Sequence, residues 1–339
     1  MTAKPTAVLF CPGRGSYGRG ELGAITRHGL DEAITTALDE ADAVRAREGR
    51  PTIRELDGAG AFRPGLHLEG RNAAELIYFA TMAELPLLLE RYRIVAVAGN
   101  SLGWYTALAA AGALNVRAGA RLIRTMAALQ ELAVGGQILT TTVDEEWRTD
   151  RALAAAVDDR LAAVNALGSD HFVARSIRLG GHEVLAGTER GVSELLARLP
   201  VQKSKEREFP FRLAGHGPFH TALCGEVAAA AEEALADLPI RMPNIALIDG
   251  RGDSHSPWSA DPLDLLEYTT TEQVTTTFDF SAAVRTAMRE FVPDVLLCAG
   301  PGSSLRAPVG HMVLREGYRG VHSKAELFGA GLVRTLADG

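Results

Sequence analysis

Residues with the types and spacing for covalent chemistry gather in Gly99-Asn100-Ser101-Leu102-Gly103, which follows the apolar run Ile94 to Ala98. An Ala-rich stretch without β-branched residues between Leu108 and Leu114 comes next. That succession predicts strand, sharp turn and helix. Glycines at 99 and 103 would let the backbone fold tightly and push the serine outward, while the helix aims free N–H groups at the same point. A serine hydroxyl is a weak nucleophile at neutral pH and needs a base. His220 opens the amphipathic segment "HTALCGEV" and could supply one. His216, four residues earlier, gives the pair a zinc-like spacing, but Gly217 and Pro218 between them break any helix, so no metal is expected. The bland alternatives are a chance Gly-x-Ser-x-Gly match in a glycine-rich chain and a histidine that only packs.

A rival chemistry begins at Gly13-x-Gly15-x-x-Gly18, which follows the strand-like "TAVLF" with the spacing of a dinucleotide-binding turn. Such a site also needs a carboxylate ending a second strand about 20 residues later. Asp31 and Glu32 stand near that distance, inside a stretch of helical pattern, and Pro12 fits the strand-to-glycine junction poorly. The oxidoreductase reading therefore lacks its second half.

Positioning these residues requires a scaffold, and the pattern supplies an α/β one. The runs "TAVLF", "IVAVA", "QILTTTV", "HEVLAG", "IALID" and "DVLLC" read as short buried strands, alternating with helical patterns such as "AAELIYFATMAELPLLLERY". Alternation of this kind indicates a mainly parallel sheet. Between about 137 and 208 the order becomes strand, helix, strand, strand, helix, strand, which suits a small inserted split-βαβ subdomain. With 339 residues, 47% hydrophobic and 23% charged, the chain can bury a large core. Cys11, Cys224 and Cys298 are far apart beside apolar residues and read as buried thiols. No apolar stretch reaches the roughly 18 residues that span a bilayer, and Pro12 cuts short the first apolar segment, so a cytoplasmic protein without signal peptide or membrane contact is expected. A net charge of −7 speaks against nucleic acid as a partner. Local basic clusters remain at Arg117, Arg121 and Arg124 and at Lys203, Lys205 and Arg207.

Taken together, the motifs resemble those of the malonyl-CoA:acyl-carrier-protein transacylases and the acyltransferase domains of polyketide and fatty-acid synthases. "LFCPGRGS" is similar to the family's Phe-Pro-Gly-Gln-Gly-Ser turn, "GNSLGWYTALAAAGAL" to its Gly-His-Ser-Leu-Gly-Glu-Tyr elbow, and "GPFHTAL" to its histidine segment. "EQVTTTFDFSAAV" and "CAGPGSSL" resemble two later stretches, in the same order. The resemblance implies an α/β-hydrolase-like large subdomain (1–136 and 209–339) carrying a ferredoxin-like small one (137–208). It implies Ser101 as nucleophile, His220 as base, the backbone N–H groups of Leu102 and Arg14 as oxyanion donors, and the backbone carbonyl of Gln273 as the group orienting the histidine. It also implies ping-pong acyl transfer in fatty-acid or polyketide biosynthesis by a monomer. Acyl-CoA or acyl carrier protein is the donor, acyl carrier protein the acceptor, and CoA or phosphopantetheine thioesters are substrates, with no bound cofactor. A hydrolase-type triad would instead need Asp294 with His311 or His322, whose segments carry no supporting motif.

Departures from the family pattern concern the acyl pocket. Asn100 and Trp104 stand where the family has His and Glu, and the family's pocket glutamine segment reads "NAAELI". Counted without a gap from Ser101, the arginine that clamps malonate's carboxylate falls on Met126, and Arg124 is two residues away on the helix, facing elsewhere. Met126, Phe219, Asn100 and Trp104 are the expected pocket residues, with Ala73 and Ala74 lending length. A linear uncharged acyl group is expected to be favoured. Arg178, where the small subdomain of the family has an asparagine, could turn inward to restore a carboxylate clamp, and an editing hydrolase of carrier-bound acyl groups is the other alternative. Arg117, Arg121, Arg124, Arg178, Lys203 and Lys205 are the candidate carrier or phosphate contacts.

Overall fold

A computed structural model describes residues 3–203 and 208–338 of the chain. Its strands are β1 (Thr6–Cys11), β2 (Arg93–Gly99), β3 (Gly136–Thr141), β4 (Val173–Leu179), β5 (His182–Gly187), β6 (Gln202–Lys203), β7 (Glu208–Phe209), β8 (Phe211–Leu213), β9 (Ala246–Ile248), β10 (Ser254–His255), β11 (Phe278–Asp279), β12 (Val295–Cys298) and β13 (Val333–Arg334). The apolar runs read as strands all form strands. Six of the described strands make one sheet in the order β10-β9-β2-β1-β12-β13, parallel except for the β10 edge. Residues 7–11 of β1 are fully buried, as expected of a central strand covered by helices on both faces. The helices Gly70–Arg91, Leu102–Ala110 and Val116–Leu129 pack together against this sheet.

A second sheet runs β11-β4-β5-β3-β8. The helices Arg151–Asn165 and Glu189–Arg198 cover it through a separate small core built from Ile138, Val157, Leu161, Val164, Leu185 and Leu195. In chain order β3, helix, β4, β5, helix, β8 form the split-βαβ arrangement read from the sequence. Its limits differ from 137–208. β3 starts at Gly136, β8 lies beyond 208, and β11 adds a parallel edge from a distant part of the chain. "EFPFRL" is two short strands rather than one, because Pro210 has no N–H to continue the ladder. A sheet edge takes whichever segment the topology brings beside it, which local pattern does not reveal.

All three cysteines are free and buried. Among the described residues no helix is long and apolar enough to cross a membrane. The Gly13-Gly15-Gly18 turn leads into a short 3₁₀ segment, Arg19–Glu21, rather than into the long helix a dinucleotide site uses. Lys205 and Arg207 lie outside the described residues.

Candidate active site

Ser101 lies just past the end of β2, with φ 55° and ψ −112°, and the helix Leu102–Ala110 starts on the next residue. Left-handed backbone at a non-glycine residue costs on the order of 1–3 kcal/mol and persists where the surroundings over-determine it. Here they do. A Cβ on Gly99 would come within 2.0 Å of the Gly103 carbonyl carbon, and one on Gly103 within 2.1 Å of the Cys11 carbonyl oxygen. Only glycine lets strand and helix approach so closely. The turn after β1 closes the other side, because Gly13 packs its backbone against Asn100, leaving Arg14 beside the elbow.

His220 also has a positive φ, 59°. Its backbone N–H donates to the Val274 carbonyl at 3.0 Å, its Nδ1 lies 2.5 Å from the Gln273 carbonyl, and its Nε2 lies 2.7 Å from Ser101 Oγ. A backbone carbonyl only accepts, so Nδ1 carries the proton and Nε2 presents its lone pair to the serine hydroxyl. The Gln273 side chain braces the same corner: Oε1 accepts from the Tyr105 hydroxyl at 2.7 Å and Nε2 donates to the Ser101 carbonyl at 3.2 Å. Burial lowers the His220 pKa to about 4, the Gln273 carbonyl opposing the shift and the Arg14 charge adding to it. The imidazole is therefore neutral at physiological pH and able to take a proton from Ser101. Leu102 opens its helix, so its N–H has no partner within the helix and is available at the same place.

No family model matches the chain, and no curated protein matches it in sequence. Solved structures do match. An acyl-carrier-protein S-malonyltransferase from Burkholderia pseudomallei superposes with a TM-score of 0.72 at 22% identity, over 98% of this chain and 96% of that one. A malonyl-CoA:acyl carrier protein transacylase from Xanthomonas oryzae gives 0.71 at 23% identity, over 99% and 96%. The Bartonella henselae malonyltransferase gives 0.72 at 21%, over 91% and 92%. The chain has the fold of the malonyl-CoA:acyl-carrier-protein transacylases. Within that transacylase fold the serine and histidine segments, 119 residues apart in sequence, meet at one point.

Around Ser101 the wall comprises Leu102, Tyr105, Met126, Gln130, Phe219, His220, Val227, Gln273 and Val274, and it encloses only about 10 Å³. That is room for about one water. Met126 and Phe219 line this cavity. Trp104 does not: it is fully buried, donates from Nε1 to Thr269 Oγ1 at 2.9 Å and meets Tyr268 edge-on, so it is core beneath the elbow. Asn100 is also outside this wall, turned to the Gly13 loop. Ala73 and Ala74 are buried in the helix Gly70–Arg91 and lend the cavity no length.

The candidate basic residues lie beside acidic groups. Arg178 is 53% exposed and pairs with Asp279 at 3.7 Å, so it supplies no charge to the pocket. Arg117 and Arg121 are engaged by Glu40 and Asp237, Arg124 lies within electrostatic reach of buried Glu75, and Lys203 pairs with Glu208 at 3.5 Å. Asp294 is held by Thr6 and Arg319, and His311 Nδ1 accepts from the Gly181 N–H, so no hydrolase-type acid and late histidine assemble at Ser101.

Sequence reasoning did not find Tyr105, Gln130 or Ser176. The Ser176 hydroxyl donates to the Phe219 carbonyl at 2.7 Å and accepts from Gln137 Nε2 at 2.8 Å, tying the histidine segment to the second sheet. Its neighbours Arg175 and Ile177 give no sign in the sequence that this serine is buried.

Proposed function

We propose that this chain transfers acyl groups between thioesters through an acyl-Ser101 intermediate. The observation that carries the reading is Ser101 Oγ at 2.7 Å from a His220 Nε2 whose other nitrogen is occupied by a backbone carbonyl. Ser101 Oγ attacks the thioester carbonyl as its proton passes to His220 Nε2. The N–H groups of Leu102 and Arg14 stabilise the oxyanion. Collapse breaks the C–S bond, and the departing thiolate takes the proton from His220. An incoming phosphopantetheine thiol then loses its proton to His220, attacks the acyl-serine carbonyl and regenerates the Ser101 hydroxyl. The similar solved structures are named as malonyl transferases to acyl carrier protein, which supports acyl-CoA or an acyl carrier as donor, a carrier as acceptor, and a place in fatty-acid or polyketide biosynthesis. No bound cofactor enters these steps.

Met126 in the wall beside Ser101 supports an uncharged acyl group. A carboxylate placed against its thioether would be desolvated without a partner, at a cost above the roughly 1.5–3 kcal/mol that a charge-assisted bond contributes. Intact-mass measurement after mixing with a panel of acyl-CoA and acyl-carrier donors tests the reading. An adduct is expected that is absent in Ser101→Ala, with the acyl group leaving to a carrier thiol. If no donor labels Ser101 the proposal fails, and release as free acid in the presence of carrier would make the chain a hydrolase.

A further inference from the structure

The volume left beside Ser101 limits the acyl group. While Ser101 Oγ attacks, the carbonyl carbon has three other substituents to place: the oxyanion, the departing sulfur and the acyl chain. The oxyanion turns to the N–H groups of Leu102 and Arg14. The sulfur carries the pantetheine arm and needs the way out to solvent. Gln130 and Phe219 mark that way, since they line both the cavity at Ser101 and a cleft of about 450 Å³ bounded by the start of the helix Gly70–Arg91, residues 127–135 and the segment 212–219. The acyl chain is left with the opposite side, Tyr105, Met126, Val227, Gln273 and Val274, all buried and none of them part of the cleft. The cavity they close is about 10 Å³, which holds about one water or, equally, one methyl group.

Most of this wall cannot retreat. Val227 and Val274 sit in the helices Gly225–Ala234 and Glu272–Thr275, where a β-branched side chain has one strongly preferred rotamer. The Val274 carbonyl accepts from the His220 N–H at 3.0 Å, and the Gln273 side chain is engaged at both ends by Tyr105 and the Ser101 carbonyl, so moving either residue would undo the base. The helix Gly225–Ala234 packs against both Glu272–Thr275 and Val116–Leu129, the helix that carries Met126. Met126 is the adaptable member, unbranched and with three rotatable bonds. Resting on the acyl-transfer reading, we propose that the acyl group is acetyl, its methyl filling the cavity, and that Met126, backed by Val227 and Val274, sets the limit on chain length. A pocket closed one methylene too early discriminates by roughly 10- to 200-fold.

p-Nitrophenyl acetate, propionate, butyrate and hexanoate acylate a reactive serine without CoA or a carrier, so they separate chain length from the identity of the donor. The measurement is kcat/KM for nitrophenol release, corrected with Ser101→Ala and divided by each ester's own rate with hydroxide. Acetate is expected to react at least about tenfold faster than propionate, with butyrate and hexanoate slower still. Met126→Ala should raise the butyrate-to-acetate ratio by at least about tenfold, and Val227→Ala should raise it too. Each ratio is taken within one preparation, so an unfolded fraction of a variant cancels. Butyrate accepted as well as acetate by the unaltered protein, a ratio unmoved in both variants, or Ser101-dependent release from none of the esters overturns the proposal. Acetate selectivity without passage of acetyl to a carrier thiol leaves the size limit standing and sinks the transfer reading instead.

Discussion

His220 can serve as a base only while its imidazole is neutral, and burial holds it neutral well below the pH at which an ordinary histidine protonates. With the pKa lowered from 6.5 to about 4, turnover should not show the acid limb near 6.5 that an unshifted histidine gives. The expected profile of kcat/KM for a small activated ester is level from about pH 7 down to about 5 and falls by half near 4. A limb centred near 6.5 would show that the histidine is solvated in the working enzyme. Met126 invites the opposite manipulation. Met126→Arg restores a cation on a residue that lines the Ser101 cavity, and acylation should shift toward malonyl over butyryl donors by about tenfold, the equivalent of roughly 1.4 kcal/mol. Single residues were legible where their chemistry is scarce: a serine between two glycines and a histidine behind Gly-Pro-Phe name themselves. Gln130 and Tyr105 were not, because a polar residue at the end of an amphipathic helix or within an Ala-rich one has the same appearance whether it faces solvent, core or substrate.

Elements place those residues, and the elbow does so by steric exclusion. The helix Leu102–Ala110 sits so close to β1 and β2 that Gly103 has the Cys11 carbonyl where a Cβ would be. Gly103→Ala sets side chain against backbone, which has no rotamer to yield, so the loss should reach or exceed the upper part of the roughly 1–3 kcal/mol typical of overpacking. Urea denaturation of the purified variant measures it, and ester turnover should fall with it because Ser101 loses its aim. A stability change below about 1 kcal/mol would mean that the helix can slide without consequence. The strand-turn-helix was readable because its period changes from apolar run to Ala-rich helix across two glycines. The orientation of that helix was not readable. All of its residues from Leu102 to Ala110 are buried, so no polar face marks which side chains look toward the cavity, and Trp104 was expected in the pocket although it packs in the core. The same lack of a polar face hid Ala73 and Ala74 within the buried run Asn72–Ala83 of their helix.

Across the whole molecule the base depends on both sheets at once. Its carbonyl partner Gln273 and the Val274 carbonyl belong to the short segment Glu272–Thr275, which packs against the helices Gly225–Ala234 and Pro262–Thr270 and meets the elbow after β2 through Gln273 Nε2 on the Ser101 carbonyl, while the residue before the histidine, Phe219, is held by Ser176 of β4 in the second sheet. β4 is fastened to the remainder of the chain by β11, and the turn after it is held where Gly180 N–H meets Ser281 Oγ at 2.9 Å and Gly181 N–H meets His311 Nδ1 at 3.0 Å. Neither β11 nor these contacts could be read from local pattern, since their partners are more than 100 residues apart. Ser176→Ala tests whether the second sheet positions the base. It leaves the Phe219 carbonyl with only the 3.5 Å approach of Gln137 Nε2 and removes the acceptor at 2.8 Å from that nitrogen. Two buried groups then lose good partners, so stability should fall by about 1–3 kcal/mol. A purely structural loss would stop there, with the folded fraction turning over normally. If β4 sets the Nε2 position, kcat for a small ester should also drop by about tenfold at temperatures where the variant is fully folded, with KM nearly unchanged, because a shift well under 1 Å in the hydrogen bond to Ser101 disturbs proton transfer more than binding. Unaltered kcat in fully folded Ser176→Ala would confine the second sheet to a structural role and leave the Gln273 and Val274 carbonyls to hold the histidine alone.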